Sequence, residues 1–385
     1  MNNNTTKKIY SLETLVFMIV FGCIFGYLGS IMGIANMMNT LMNTAYALLM
    51  DTVFYIMAIS VIAGALGSLF TEFGVVAIIN SLLSPLMKPL FGLPGASAIG
   101  VLSTFLSDNP AILALADDPS FKRYFKKYQL PALTNLGTGF GMGLITVTFM
   151  IGLLSPDGTS FVSAAMVGLL GAAIGSLVSV RIMLFFTKKQ FDVNEEAYQG
   201  NNDSTLLPGM RIIRNGSVGN RVMNSLLEGG KQGVKLGLDI IPGVLIICTM
   251  VMMFTNGNNG SFTGAAYEGV GLLPKIGNMF SFILEPLFGF TSSQCIAVPI
   301  TALGSAGAAI GLIPSLVNNG LASANDIAVF TAMCMCYSGY LSTHVAMMDV
   351  LGFPKLTGKS ILSHTIGGLC AGISAHWIYI FITVL

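Results

Sequence analysis

Charge is what this sequence has least of. Of its 385 residues, 18 are Lys or Arg and 17 are Asp or Glu, 9% in all, against about 25% in a typical soluble protein. A water-facing surface cannot be built from so few. A soluble enzyme, a nucleic-acid binder and a disordered scaffold are therefore excluded. Cysteine is sparse too, and Cys23, Cys248, Cys295, Cys334, Cys336 and Cys370 all fall in apolar segments, which argues against an extracellular disulfide framework. No nucleotide-binding loop, nucleophile elbow or zinc-protease motif occurs. An ATP-driven pump and an enzyme both lack their defining residues, and no cofactor is expected beyond a coupling ion.

What is present is apolar: 54% of the chain is hydrophobic. Lys7 and Lys8 precede a run from Leu15 to Ala35 that is long enough to cross a hydrocarbon core of about 30 Å. It reads as a first transmembrane helix with a cytoplasmic N-terminus. The expected class is an all-α polytopic protein of the plasma (inner) membrane, with lipid as its environment and homo-oligomerisation left open. Forty-five glycines and 14 prolines weaken helix interiors and point to broken helices.

The chain repeats itself. Pro89-Leu90-Phe91-Gly92 recurs as Pro286-Leu287-Phe288-Gly289, an interval of 197 residues. The register persists through AIGVLSTFLSDNPAILAL (98–115) and CIAVPITALGSAGAAIGL (295–312), which pair Thr104 with Thr301. LTNLGTGFGMGL (133–144) lies against TAMCMCYSGYLS (331–342), and LLGAAIGSLVSV (169–180) against IGGLCAGISAHW (366–377). Upstream, Asp51 falls opposite Asp239 at a shorter interval of 188. The expected divisions are an N-terminal helix and connector (1–45), a first repeat (46–186), a cytoplasmic linker (187–230) and a second repeat (231–385). In the linker, residues 210–227 have the pattern of either an amphipathic interfacial helix or a solvated loop. Each repeat should hold a long helix (46–70; 233–254), a segment ending in PLFG, a broken Gly/Ser/Pro-rich hairpin and two further helices (129–152 and 161–186; 326–350 and 360–385). Irregular backbone at membrane depth must be buried in protein or line a cavity, so the hairpins read as re-entrant.

Basic residues choose the relative orientation of the repeats. The loop after the first hairpin carries Lys122, Arg123, Lys126 and Lys127, while its counterpart (314–326) carries none. The loop 155–160 has no basic residue, while its partner has Lys355 and Lys359. Only inverted repeats put nearly all of these, and Lys188, Lys189, Arg211, Arg214 and Arg221 of the linker, on one side. Inverted repeats with discontinuous elements are a recurring design of secondary transporters.

The most polar point inside the apolar sequence is Ser107-Asp108-Asn109-Pro110, at the break of the first hairpin. An ionisable group there is costly and points to a solute, a proton or a cation; the competing reading is a helix cap followed by proline. The second hairpin offers Gly304-Ser305-Ala306-Gly307, without an acid. Beside the hairpins, Thr134, Asn135 and Thr138 precede a glycine run, and Thr331, Cys334, Ser338 and Ser342 form a stripe. Such small polar residues serve either packing or binding. Asp51 and Asp239 could each carry a coupling proton or sit near a helix entry. His344, His364 and His376 share one C-terminal region and read as hydrogen-bonded packing residues. Small polar solutes are the expected substrates, with Ser107, Asp108, Asn109, Thr138, Ser305 and Ser338 as contacts and Asn135, Asp51 and Asp239 as coupling-ion residues.

The stretch FLSDNPAILALADDPSFKRYFKKYQLPALTNLGTGFGMGL (105–144) resembles the concentrative nucleoside transporters of the Gate, or nucleoside-recognition, superfamily, which also includes membrane segments of the ferrous-iron transporter B and sporulation membrane proteins. The resemblance covers roughly residues 46–186 and 231–385. It implies nucleobase contact by Asp108 and Asn109, ribose contact by Ser305 and Ser338, and a sodium site around Leu106, Ser107, Asn135 and Thr138. The chain departs from that family in reading Ser-Asp-Asn-Pro rather than a Gln-Thr-Glu type of run, and in lacking an intramembrane Glu in its second half. Two alternatives follow from the same kinship: a divalent-metal permease using Cys334, Met335, His344 and Asp108, and a structural protein that depends on a partner.

Overall fold

A computed structural model describes residues 9–107, 111–112, 119–198, 213–257, 261–338 and 340–384. Among the described residues all regular structure is helical, and six stretches are long and apolar enough to cross a membrane: Leu12–Met32, Ile34–Glu72, Lys127–Gly152, Val162–Lys188, Val218–Thr255 and Pro354–Thr383. The chain is an all-α multi-pass membrane protein. Helix α1 (Leu12–Met32) starts at Ser11, whose hydroxyl accepts from the Thr14 amide, and has only 11% of its apolar window buried, so it faces lipid. Helix α2 (Ile34–Ala47) passes through a π-turn (Leu48–Val53) into α3 (Phe54–Glu72).

The interval of 197 residues reappears as geometry. Helices α4 (Val75–Phe91) and α12 (Ser281–Phe288) both end on a left-handed glycine, Gly92 (φ 73°) and Gly289 (φ 60°). A side chain there would be strained, and glycine is not. Each glycine's carbonyl is then held by a side-chain amide, from Gln129 (3.1 Å) in one half and Asn325 (2.9 Å) in the other. The Gln129 side chain also accepts from the Lys126 amide (2.9 Å), as Asp326 does from Ser323 (2.8 Å). Hairpin helices α5 (Ser97–Leu106) and α13 (Ala297–Ala302) carry Thr104 and Thr301, each bonded to the carbonyl four residues back. The second hairpin continues into α14 (Ala306–Asn318), and the pair Ser281–Phe288 and Ser293–Ala302 bends by 80°.

Two expected helices are broken. The segment 129–152 divides into α6 (Ala132–Thr138) and α7 (Gly143–Gly152), and 326–350 into α15 (Ala324–Cys336) and α16 (Tyr340–Val350). The first break follows from Gly137, Gly139, Gly141 and Gly143, with Met142 in the left-handed region (φ 54°). Residues 210–227, open to either an interfacial helix or a solvated loop, divide: helix α9 (Val218–Gly243) begins at Ser217, whose hydroxyl accepts from Asn220, and runs on into the span, while residues 210–212 lie outside the described set.

Helices α8 (Val162–Lys188) and α17 (Thr357–Val384), equivalent by the repeat, pack on each other. Gly171 faces Ala375, Gly175 faces Ala371 and Ser179 faces Gly367. One number rises as the other falls, so the equivalent helices are antiparallel and the halves are inverted. Basic loops meet at one end, where Lys127 pairs with Glu195 at 2.7 Å, Lys126 pairs with Glu196, and Phe191 stacks edge-on with Phe353.

Elsewhere the loop 261–271 is strapped to α2. Asn36 and Asn43 donate to the Phe262 and Gly264 carbonyls, and Glu268 accepts from the Thr263 and Gly264 amides and from Thr40. Partial burial pushes the Glu268 carboxyl up, but these hydrogen bonds outweigh it and hold the group below its ordinary value. A depressed carboxyl stabilises above its unfolded value and stops doing so as pH falls through the folded one. Amide exchange at Thr263 and Gly264 should therefore accelerate relative to the core below about pH 4. Glu268→Gln should show the faster exchange at neutral pH as well; exchange that ignores both changes would show that the strap does not depend on this carboxylate.

Candidate functional site

The first hairpin reaches Ser107, where α5 ends (φ −129°, ψ −107°) and the side chain is exposed. Asp108, Asn109 and Pro110 lie outside the described residues. Around Ser103, Leu106 and Ser107 opens a cavity of about 630 Å³, walled by α3 (Gly64, Ser68, Thr71) and by Gln232 of α9. At its rim the Glu72 carboxylate, itself buried, is held by Arg221 Nε (2.6 Å) and Arg214 Nη1 (3.0 Å). The lining mixes hydroxyls and an amide with apolar side chains, which suits a small solute that hydrogen-bonds; Arg214 also pairs with Glu228, so two carboxylates balance two guanidiniums and the rim is charged but close to neutral.

Behind the hairpin stand the two helix breaks. A Cβ placed on Gly143 would lie 2.2 Å from the Phe105 ring, so the first break is pressed against the hairpin. Cys336 Sγ, at the second break, points at the Gly139 carbonyl (3.9 Å). In the alignment of the halves Gly139 lies opposite Tyr337, the next residue after Cys336, so the two breaks touch where the halves face each other.

Next to them lies a buried polar network. Asn135 Nδ2 donates to Ser179 Oγ (2.9 Å) and to the Ser360 carbonyl (2.9 Å), while Asn135 Oδ1 accepts from Ser360 Oγ (2.7 Å). Thr138 Oγ1 donates to the Thr134 carbonyl (2.8 Å) and lies 3.5 Å from His344 Nε2 and 3.4 Å from His364 Nδ1. Ser179 Oγ is 3.0 Å from His364 Nδ1. The imidazole centroids are 4.7 Å apart, and both histidines, with Asn135, Thr138, Ser179 and Ser360, are fully buried.

The expected site residues thus divide. Asn135 and Thr138 come together, though in the histidine network and with the Asn135 amide fully occupied. Ser338 is buried at the second break. Ser305 caps α14 by accepting from Ala308 (3.2 Å) and sits beside Gly243, about 16 Å along α9 from the cavity-lining Gln232; Ser305 and Ser107 do not share a pocket. Asp51 is exposed, lining a shallow pocket of about 210 Å³ with Tyr55 and Asn318. Burial first, and the Asp51 charge second, raise the Tyr267 phenol in the 261–271 strap. Asp239 is exposed on α9. The two acids are not equivalents: the π-turns Leu48–Val53 and Val244–Cys248 start 196 residues apart, so Asp51 lies within one and Asp239 before the other. Sequence reasoning missed His344, His364, Ser179 and Ser360 as a unit. Their only signal was that two of the chain's three histidines sit on neighbouring C-terminal helices. Among the described residues no three His, Cys, Asp or Glu side chains gather as a metal site; Asp108, named for the permease alternative, lies outside them.

No protein-family model matches the sequence, and no curated protein matches it. Solved structures do. CNTnw, a concentrative nucleoside transporter, in an inward-facing substrate-bound state matches with a TM-score of 0.52 at 14% identity, over 95% of this chain and 84% of that one. The chain shares the fold of CNTnw. A doubly substituted CNTnw in an outward-facing state matches with a TM-score of 0.50 at 13% identity, over 94% of this chain and 84% of that one.

Proposed function

We propose that the protein is a secondary-active transporter that moves a small polar solute, nucleosides or related metabolites first, by alternating access around its two hairpins, driven by sodium ions or protons. The observation that carries this reading is the cavity of about 630 Å³ that runs from a charged rim to the first hairpin, in a fold shared with a protein solved in inward-facing and outward-facing states. Midplane breaks in inverted repeats leave backbone donors and acceptors free for a solute. Asp108 and Asn109 are the first proposed contacts, with Ser107, Thr138, Ser305 and Ser338 joining as the hairpins close. The gathering of basic loops at one end supports a plasma-membrane protein with its N-terminus and cavity mouth in the cytoplasm.

A thermal-shift screen of the detergent-solubilised protein tests this, using nucleosides, amino acids, organic acids and divalent metals with and without sodium. One solute class should stabilise the protein, by about 2.7 kcal/mol at a hundredfold excess over Kd. Asp108→Asn and Asp108→Ala should lose that stabilisation while expressing normally. Stabilisation by metals alone would favour the permease instead, and Asp108 variants that respond like the wild type would remove Asp108 from the site.

A further inference from the structure

Hydrogen bonding fixes the tautomers of the two buried histidines. A carbonyl can only accept. His364 Nε2 contacts the Cys336 carbonyl and His344 Nδ1 contacts the Tyr340 carbonyl, so each of those nitrogens carries a hydrogen. In the neutral rings the remaining nitrogens, His364 Nδ1 and His344 Nε2, are bare lone pairs. Both face Thr138 Oγ1, at 3.4 and 3.5 Å.

Donors are too few for both. Ser179 Oγ receives a hydrogen from Asn135 and can give its own to His364 Nδ1 at 3.0 Å. Thr138 has one hydrogen, and its short bond is to the Thr134 carbonyl at 2.8 Å. His344 Nε2 is therefore the acceptor left without a good donor in a fully buried place, a costly condition. One proton taken from water onto His344 Nε2 reverses it. The ring then donates to the Thr138 oxygen, and Thr138 keeps its hydrogen on Thr134. A second proton on His364 would place two cations with ring centroids 4.7 Å apart, which a low-dielectric interior opposes.

We propose that His344, with His364 and Thr138, is a one-proton site and that this proton is the coupling cation; the second clause rests on the transport reading above. A sodium ion favours a shell of oxygen ligands; here two ring nitrogens flank the Thr138 hydroxyl, and Asn135 Oδ1, already accepting from Ser360 Oγ, has one lone pair left. The site is placed to matter. The Cys336 carbonyl held by His364 ends α15, and the Tyr340 amide that would have met it in a continuous helix bonds Tyr337 instead (3.1 Å). The pair therefore sits at the joint of the second broken helix. Facing it are Thr134, Asn135 and Thr138 from α6, Ser179 from α8, Cys336 and Tyr337 from α15, Tyr340 from α16, and Ser360 and Thr365 from α17. The phenols are occupied, Tyr337 on the Thr365 carbonyl (3.0 Å) and Tyr340 on the Thr365 hydroxyl. Among the described residues no carboxylate, ammonium or guanidinium is hydrogen-bonded to either ring.

The chain has only three histidines, so a histidine-selective ¹⁵N spectrum of the full protein in nanodiscs resolves the question, with His344→Gln and His376→Gln assigning the signals. At about pH 8 the two buried rings should show opposite single tautomers, Nδ1–H for His344 and Nε2–H for His364. As the pH is lowered from about 8, the pair should gain one N–H and no more. No gain while the protein stays folded, or a gain on both rings, would overturn the site. For a solute found by the stabilisation screen, affinity should fall about tenfold per pH unit above the midpoint and become pH-independent in His344→Gln. A pH-flat wild type would overturn the coupling role. A screen in which no solute binds at any pH would sink the transport reading and the coupling with it, whereas the spectrum judges the proton site by itself.

Discussion

Gly229→Ala should lower the melting temperature by several degrees or prevent folding, while Gly230→Ala should leave it within about a degree. At Gly229 an added methyl would sit 2.2 Å from the Gly64 carbonyl oxygen, 2.7 Å from its carbon and 2.8 Å from Ala65 Cα. All three are backbone atoms, which cannot rotate aside as a side chain can. Either α3 and α9 move apart along their length or the helix bends. Overpacking of this kind costs about 1–3 kcal/mol, occasionally more, and rigid backbone on both sides places this case at the upper end. At Gly230 the same methyl meets only Val61 Cγ1 at 3.5 Å, an ordinary contact. The neighbour thus controls for helix propensity and expression, since both changes are glycine to alanine in one helix. Equal melting of the two variants would mean that α3 and α9 do not approach as closely as described.

The same close approach was written in the sequence without being conspicuous. Gly229, Gly233 and Gly237 recur every four residues, the small-xxx-small spacing that lets membrane helices touch. They face Gly64, Ser60 and Met57 in turn. Spacing says that such a helix has a close partner but not which one. The duplication was legible for a different reason. Pro-Leu-Phe-Gly is identical in the two halves, and its glycine has to be left-handed in both.

Where the reading failed, local pattern was competing with tertiary context. A glycine run inside an apolar stretch usually signals packing, so 129–152 looked continuous; its break depends on Met142 adopting φ 54° against the first hairpin. Asp51 and Asp239 were matched because both are acids in long helices, and the length difference between the halves was absorbed in the wrong place. The π-turns, which have no sequence signature of their own, supply the register. The histidine network was out of reach for a simpler reason. Its members come from four helices, with Asn135, Ser179, His344 and Ser360 separated by up to 225 residues, and no period links them.

That network makes the last expectation specific. Asn135→Leu should destabilise the protein by about 2 kcal/mol, and combining it with Ser360→Ala should cost less than the two changes added together. Leucine has the same branched skeleton as asparagine, so the main loss is of hydrogen bonds, although its bulkier methyl groups add some overpacking. Three bonds of 2.7–2.9 Å disappear, and bonds between helices in membranes average about 0.6 kcal/mol each. The single change also strands the Ser360 hydroxyl and frees Ser179, both fully buried. Removing the Ser360 hydroxyl as well removes one stranded group, because replacing both partners is cheaper than replacing one. A double-mutant cycle on melting free energies should therefore give a coupling of about 0.5–3 kcal/mol, the range for residues in direct contact. Strict additivity would show that Asn135 and Ser360 do not act as partners. A second consequence separates this network from ordinary packing: without Asn135 the Ser179 oxygen loses its donor, so its hydroxyl is no longer oriented toward His364 Nδ1, and the His364 Nδ1 signal should shift while the Cys336 carbonyl keeps His364 in its single Nε2–H tautomer.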